Sequence, residues 1–244
     1  MPAVNRALVI GAGSAIAGAI LDELLNDPKI QQVVAVSRAP DTGLSARHGQ
    51  RLEWLESDYS EASIARTGAS LEKQRGSFSR VFLCNGILHQ GDLQPEKRLE
   101  DLTRKAMHTV LEINTVIPLL WLQALQPVLT GKNPCKVAIF SARIGSITDN
   151  RRGGWYSYRA SKAALNMLLK TASIELARRA PNVRLMAFHP GTTDTPLSEP
   201  FQKSVPRDKL FTPDFVARRL ITLMDQDHGD DLVFLDWDGK AIAW

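Results

Sequence analysis

Short runs of apolar, often β-branched residues alternate along this chain with longer stretches in which apolar residues recur at helical spacing. The short runs predict strands at residues 6–10, 33–36, 52–55, 81–84, 137–140, 183–188 and 232–235. The amphipathic stretches predict helices at residues 14–26, 61–73, 99–129, 157–179 and 212–225. Residues 89–98 read as a loop rich in charge and proline, and residues 192–211 show no clear periodicity.

This alternation indicates the fold class. Strands separated by helices of ten or more residues imply βαβ units and a parallel sheet, and nearly continuous apolar strands suit a sheet covered on both faces. No composition shift marks a linker, and no repeat is present. We therefore predict one α/β domain over residues 1–244, a three-layer, doubly wound parallel sheet of the Rossmann type. Ligands of such sheets bind at the carboxyl ends of the strands.

Composition and charge limit the classes of partner and the cellular location that we expect for this protein. The 30 basic residues exceed the 26 acidic ones by only four, and no dense basic block contains interleaved aromatics, so a nucleic-acid partner is not expected. The longest apolar stretch, residues 116–129, is interrupted by two prolines and two glutamines and is not expected to span a membrane. The N-terminus lacks the layout of a signal peptide, and the two cysteines offer no metal spacing. We expect a cytoplasmic protein without a metal.

A glycine-rich turn follows the first predicted strand and opens the first helix. Its small residues and helix N-terminus let backbone N–H groups face a phosphate, although a simple strand-to-helix turn would also read this way. The residues predicted to bind a dinucleotide here are Gly11, Gly13, Ser14, Ala15 and Ile16.

The end of the second strand bears on the choice of cofactor. An acidic residue there would hold a ribose 2′-hydroxyl, whereas an arginine would accommodate a 2′-phosphate. The chain has Ser37 and Arg38 and no acid at this point. Unless Arg38 is simply a surface residue, its planar donor fork favours NADP(H) over NAD(H).

A tyrosine and a lysine stand four residues apart at the start of a predicted helix. Tyr158 and Lys162 therefore share a helix face, and a lysine cation favours the phenolate, so we expect the pKa of Tyr158 to lie below its ordinary value of about 10. Such a pair is also common on helix surfaces. The small residues around Lys162 favour close packing and hence a functional pair.

Several other residues lie near the predicted site and admit two interpretations. Two histidines follow strand ends and could either line a cleft or be structural. Four arginines could either steer an anionic substrate or belong to a solvated loop. Two aromatic residues could either form pocket walls or pack in a core or an interface. They are His89, His189, Arg143, Arg151, Arg152, Arg159, Trp155 and Phe201.

Taken together, these residues resemble the short-chain dehydrogenase/reductase family over essentially the whole chain. The ordered set is the glycine turn, Asp58, Asn85 with Gly86, Asn114, Ser141, Tyr158 with Lys162, Pro190 with Gly191, and Thr195. The stretches 141–146 and 158–166 are similar to the branch that contains C-factor-like proteins and sniffer-type carbonyl reductases.

The resemblance implies catalytic roles. Tyr158 would protonate the substrate carbonyl oxygen as hydride arrives from NADPH. Lys162 would bind the nicotinamide ribose and lower the pKa of Tyr158. Ser141 would donate a hydrogen bond to the carbonyl, and Asn114 would hold a water for proton relay.

The resemblance also implies cofactor contacts. Asp58 would contact the adenine, and Asn85 and Gly86 would lie against the adenosine ribose. Thr195 would anchor the carboxamide side of the nicotinamide. The other cofactor-binding residues predicted in this segment are Pro190, Gly191 and Thr192.

The chain departs from the family pattern in three places. Ile10, Ala15 and Ala17 stand where the family usually has a threonine and further glycines, and the usual Asn-Asn-Ala-Gly is shortened at 84–86. The catalytic serine is usually the second of a Ser-Ser pair, and here that position is Ala142. Ser141, Ser146 or neither serine would then serve.

The predicted function is reversible reduction of a small-molecule carbonyl, with the corresponding alcohol as the reverse substrate. One alternative is a non-catalytic NADP(H)-binding module used in signalling or redox sensing. Another is a sugar-nucleotide epimerase or dehydratase, which would need a larger C-terminal substrate domain. The helical stretches 99–129 and 157–179 carry more apolar positions than one buried stripe needs, and resembling proteins pair through them, so we predict a homodimer or homotetramer.

Overall fold

Seven parallel strands form the central sheet of the computed structural model, which describes residues 5–244. These strands are β1 (Arg6–Ile10), β2 (Gln32–Ser37), β3 (Leu52–Glu56), β4 (Phe78–Leu83), β5 (Cys135–Phe140), β6 (Val183–His189) and β9 (Leu232–Asp236). The order across the sheet is β3-β2-β1-β4-β5-β6-β9. β7 (Thr192–Thr193) and β8 (Leu210–Phe211) pair separately, beyond the end of β6.

Helices cover both faces of this sheet. They are α1 (Ala15–Asn26), α2 (Leu44–His48), α3 (Glu61–Ser70), α4 (Arg104–Leu111), α5 (Ile117–Leu129), α6 (Tyr156–Arg179) and α7 (Pro213–Asp225). Successive residues of β1 show how the strands serve both faces: Leu8 and Ile10 join the core under α5 and α6, whereas Ala7 and Val9 join the core under α1 and α7. The predicted three-layer, doubly wound α/β fold is confirmed. The bounds 1–244 stay a prediction, because residues 1–4 lie outside the described residues.

The strand order reverses between β1 and β4, and this switch point positions the site. The chain leaves β1 through Gly11, whose backbone has a φ of +83°. A Cβ at this position would lie 3.1 Å from the backbone carbonyl carbon of Cys84, at the end of β4. Only a glycine therefore allows the turn after β1 to approach the neighbouring strand this closely.

The predicted helix at residues 99–129 is wrong as a single element. A 3-10 turn at Leu99–Asp101 comes first, Thr103 then caps α4, and a π-helical turn at Glu112–Val116 separates α4 from α5. The helix predicted at residues 61–73 ends at Ser70 and continues as a 3-10 turn. These boundaries depend on hydrogen-bond geometry that apolar periodicity does not report.

Two further differences concern short elements. The five-residue helix α2 went unpredicted because it is too short to show a period. The segment without periodicity, residues 192–211, contains the short strands β7 and β8 and two 3-10 segments.

Candidate active site

The N-terminus of α6 is fixed by a carboxylate from a distant loop. Glu96 is only 5% exposed, and it accepts hydrogen bonds from the backbone N–H of Ser157 at 3.1 Å and from the Ser157 hydroxyl. The Glu96 carbonyl also accepts from the N–H of Trp155, which has a left-handed φ of 54°. A buried carboxylate satisfies the free N–H groups of a helix N-terminus and complements its dipole. This anchor holds the helix turn that carries Tyr158.

Lys162 lies one turn further along α6 and is almost completely buried. Its ammonium donates to the carbonyl oxygen of Phe140, at the end of β5, over 2.8 Å. The Lys162 Nζ lies 5.8 Å from the centroid of the Tyr158 ring. The predicted placement of the pair on one helix face, at the carboxyl ends of the strands, matches this geometry.

The pKa expected for Tyr158 is wrong in sign. Burial raises the pKa of Tyr158 to about 12 rather than lowering it. Burial also lowers the pKa of Lys162 to about 7. The reason is that desolvation disfavours the charged form of both groups. The protonated phenol is therefore the dominant form at neutral pH.

Asn114 lies in the π-helical turn and is fully buried. Its amide oxygen accepts from the N–H of Ile87 at 2.7 Å, and its amide nitrogen donates to the Ile87 carbonyl at 2.9 Å and to the Ser161 hydroxyl at 3.1 Å. A Cβ added at Gly86 would lie 3.6 Å from the Asn114 oxygen and 3.9 Å from the Lys162 ammonium. Asn114, Gly86 and Lys162 thus meet at one point, with the Asn114 side chain engaged by the protein.

The two candidate serines differ in position. Ser141 follows β5 and borders the larger cavity of the site, but its hydroxyl donates to the side-chain oxygen of Asn166 over 2.6 Å. Ser146 is buried, and its hydroxyl accepts from the N–H of Asp149 at 3.1 Å, away from the cavity. Ala142 borders the cavity at the place where the family usually has its serine.

Two cavities lie along the carboxyl edge of the sheet. The larger, of about 530 Å³, contains Tyr158 and Ser141 in its wall. It is also bordered by the predicted residues Ile16, His189, Pro190, Gly191, Thr192 and Thr195. The smaller, of about 300 Å³, is bordered by Gly11, Gly13, Ser14, Ser37, Arg38, Asp58, Asn85 and Gly86. Ala15 borders neither cavity and begins α1 directly behind Ser14, whose side chain accepts from the N–H of Ala17.

The smaller cavity is suited to an adenosine carrying a phosphate. Arg38 lies over the Tyr59 ring, 5.8 Å from its centroid, and makes no ion pair within residues 5–244. Gly13 lies against the Ser37 hydroxyl, which a Cβ would approach to 3.1 Å. The amide oxygen of Asn85 is buried without a partner among the described residues. An exposed cation and a free acceptor therefore face the same space.

The larger cavity offers further free polar atoms. The Thr193 hydroxyl and the Nδ1 atom of His189 are buried and have no partner in the described part of the chain. Burial lowers the pKa of His189 to about 4, so its ring is neutral at physiological pH. Because buried polar groups are normally satisfied, these atoms point to a ligand that hydrogen-bonds along this wall. The residues present thus fit a dinucleotide that spans both cavities.

Aromatic side chains line the open side of the larger cavity. The Trp155 ring lies 6.2 Å from the Tyr158 ring and 4.9 Å from the Phe201 ring, and the Phe201 ring lies 5.7 Å from that of His89. The His89 ring also hydrogen-bonds to the carbonyl of Pro196. Trp155 and Phe201 border the cavity, whereas His89 joins two loops behind it.

Sequence reasoning identified most of these residues but missed several. Glu96 accepts from Ser157 at the start of α6, Asn166 accepts from Ser141, and Ser161 accepts from Asn114. Asn166 and Ser161 lie within the stretch 158–166 that carries the family resemblance, but the sequence does not indicate these contacts. Lys203 also borders the larger cavity, in a segment without periodicity. Among residues 5–244 no helix is long and apolar enough to cross a membrane, and no group of His, Cys, Asp or Glu is arranged to hold a metal.

Comparisons with known proteins identify the family of this chain. A family profile for short chain dehydrogenases matches residues 5–205. The 1-hydroxy-2-glutathionyl-2-methyl-3-butene dehydrogenase of Rhodococcus sp. (strain AD45) is 30% identical over 96% of this chain and 100% of its own length. The C-signal protein of Myxococcus xanthus is 32% identical over 60% of this chain and 83% of its own length. The crystal structure of an NADPH-bound carbonyl reductase from chicken fatty liver is similar over 99% of both chains, with a TM-score of 0.84 and 26% identity.

Proposed function

The chain belongs to the short-chain dehydrogenase family, and on that premise we propose that it transfers hydride between NADP(H) and a carbonyl or alcohol substrate, with Tyr158 as the acid and base. The resemblance found in the sequence is confirmed at the level of the family. The observation that carries the proposal is that Tyr158 borders the larger cavity while Lys162 connects the same helix turn to β5.

The cofactor assignment rests on Arg38. NADPH, when bound, would supply the hydride. The N–H groups at the start of α1 would face its pyrophosphate, and Arg38 would bind the 2′-phosphate in the smaller cavity. Lys162, beside Gly86, would hold the nicotinamide ribose, and Thr195 would lie toward the carboxamide. The NADPH in the chicken carbonyl reductase supports this assignment.

Proton transfer falls to Tyr158. Because burial keeps the pKa of its phenol at about 12, the group carries its proton at neutral pH and donates it to the carbonyl oxygen of the substrate. In the oxidation direction the same oxygen must first lose its proton, so alkaline pH favours oxidation. Ser141 can polarise the carbonyl only by releasing its hydrogen bond to Asn166.

The experiment that tests this proposal removes one hydroxyl group, that of Tyr158. Tyr158→Phe keeps the ring that packs on Trp155 and removes the proton donor. With a panel of aldehydes and ketones and with NADPH consumption followed by absorbance, we expect the rate to fall by roughly 10²–10⁴-fold while NADPH affinity is retained. Tyr156→Phe is the matched control, because Tyr156 lies on the same helix with no lysine four residues on. Full activity of Tyr158→Phe on a confirmed substrate would refute the proposal.

A non-catalytic NADP(H)-binding module is the second candidate. It is favoured by Ala142 at the usual serine position and by the bond that engages the Ser141 hydroxyl. NADPH binding without turnover of any member of the panel would support it. A Tyr158-dependent rate on any member would exclude it.

Assembly as a homodimer or homotetramer is part of the proposal. Val116, before α5, and Met167, Leu168 and Ile174 on α6 are exposed apolar residues, with Met167 67% exposed. Exposed apolar side chains on a helix pair are typical of an interaction surface. A monomer in light scattering at micromolar concentration would contradict this.

A further inference from the structure

We infer that the substrate of this site carries an oxyanion, a carboxylate or a phosphate, which Arg152 and Lys203 bind at the mouth of the larger cavity. An apolar segment joins this anion to the carbon that reacts at Tyr158. The inference rests on the function proposed above and names the class of substrate that the site selects.

The charge of the cavity wall is one-sided. Arg152 and Lys203 are the cations among the described residues that border the larger cavity, and no carboxylate of that part of the chain borders it. Both side chains are exposed, and neither forms an ion pair within residues 5–244. Their charges are therefore available to a ligand, and the field at the cavity mouth attracts anions.

Two neighbouring arginines, Arg143 and Arg159, are already bound by other groups of the protein. Arg143 donates to Asp236 at 2.8 Å and lies 3.8 Å from Asp149. Arg159 donates to the carbonyls of Gly154 and Gly153, at 2.9 and 3.1 Å, and so supports the loop before α6. The charge cluster that the sequence shows thus divides by role, with Arg143 and Arg159 engaged by the protein.

Two members of that cluster are not engaged in this way. Arg151 and Arg152 are both exposed and adjacent in the chain. Only Arg152 borders the cavity, whereas Arg151 does not. Comparing substitutions of these two arginines therefore distinguishes anion binding in the cavity from a general effect of surface charge.

The region between the cations and Tyr158 is apolar. The Trp155 ring packs between the rings of Tyr158 and Phe201. Arg152 and Lys203 border the same cavity as these three rings, and both cations are exposed. A ligand that fills the cavity between Tyr158 and either cation therefore contacts this aromatic wall, and apolar groups are favoured there because they bury surface against the rings.

The test uses matched pairs of aldehydes. Benzaldehydes that carry a carboxylate on spacers of increasing length are compared with their methyl esters, and kcat/KM is measured with NADPH. We expect the carboxylate to be preferred by about three- to tenfold at the best spacer length, because each exposed ion pair contributes only modestly and two cations are available. The preference should decrease with added salt. The phosphate series then shows which oxyanion is preferred.

Variants locate the anion site. Arg152→Gln and Lys203→Gln should each reduce the carboxylate-to-ester ratio of kcat/KM by about two- to fivefold. Arg151→Gln is the matched control and should leave the ratio unchanged. Equal kcat/KM for acids and esters at every spacer length, with activity present, would overturn the inference and leave the proposed function standing.

A binding measurement keeps the two proposals distinguishable. Titration of 4-phenylbutyrate and its amide into the protein saturated with NADP⁺ is followed by calorimetry, which needs no turnover. Tighter binding of the acid that is lost in Arg152→Gln, with no aldehyde reduced, would refute the proposed function and support the anion site. Equal binding of acid and amide would overturn the anion site whether or not aldehydes are reduced.

Discussion

Removing the Glu96 carboxylate should destabilise the protein strongly for a loop residue. In Glu96→Ala, the Ser157 N–H loses its acceptor while only 1% of that residue is exposed, which costs about 1–3 kcal/mol. The lost bond to the Ser157 hydroxyl costs about 0.5–1.5 kcal/mol, since a hydroxyl can rotate toward another acceptor. The lost charge at the helix N-terminus costs about 0.3–1 kcal/mol. These contributions place the loss of unfolding free energy at about 3 kcal/mol.

Thermal and urea unfolding measure this effect. For a domain of this size, a loss of that magnitude lowers the midpoint temperature by roughly 6–12 °C. Glu96→Gln keeps one acceptor and should cost less than half as much. Glu100→Ala, at an exposed position in the 3-10 turn that follows, is the control and should stay within about 0.5 kcal/mol of the native protein. If Glu96→Ala is also within that range, the carboxylate does not hold α6, and the anchoring argument fails.

Two other predictions concern single side chains. Arg38→Gln should weaken NADPH binding by about tenfold and leave NADH binding nearly unchanged, which fluorescence titration measures. Arg47→Gln is the control variant. Equal losses of affinity for NADPH and NADH in Arg38→Gln would contradict a contact to the 2′-phosphate. Lys162 should make the free energy of unfolding depend on pH, because its pKa is about 7 in the folded protein and 10.5 ordinarily. Between these two pH values Lys162 is protonated in the unfolded chain and largely neutral in the folded protein. The free energy of unfolding therefore rises with pH in this window. Urea unfolding across this window should show the rise in the native protein and lose it in Lys162→Met; parallel profiles for the two proteins would contradict the assignment.

The strands of the central sheet were predictable from the sequence alone. Each buried strand is a short apolar run, and burial on both faces leaves few polar residues to obscure it. β1 is predicted residue for residue, and the other strands of the main sheet differ only at their ends. The order of the strands was not predicted, because local periodicity does not contain it and the handedness of βαβ units alone does not fix it.

The positions of several predicted residues at the carboxyl edge of the sheet follow from the sequence, whereas their pKa shifts do not. Tyr158, Lys162 and Asn114 are recognisable by spacing and order along the chain. The sign of the pKa shift at Tyr158 depends on how far the phenol is removed from water, which is not visible in the sequence. The anchor from Glu96 spans 61 residues of chain, so no local pattern reports it.

The π-helical turn at Glu112–Val116 has a consequence for how this chain tolerates changes in length. Such a turn is equivalent to one extra residue inserted into an α-helix. Because the wider turn absorbs this residue locally, deleting one residue there would restore the α-helical repeat while Trp121 and Leu125 keep facing the core. Asn114 lies inside the turn and would lose the position from which it bonds Ile87. Such a deletion should therefore spare the packing of α5 and remove the contacts of Asn114.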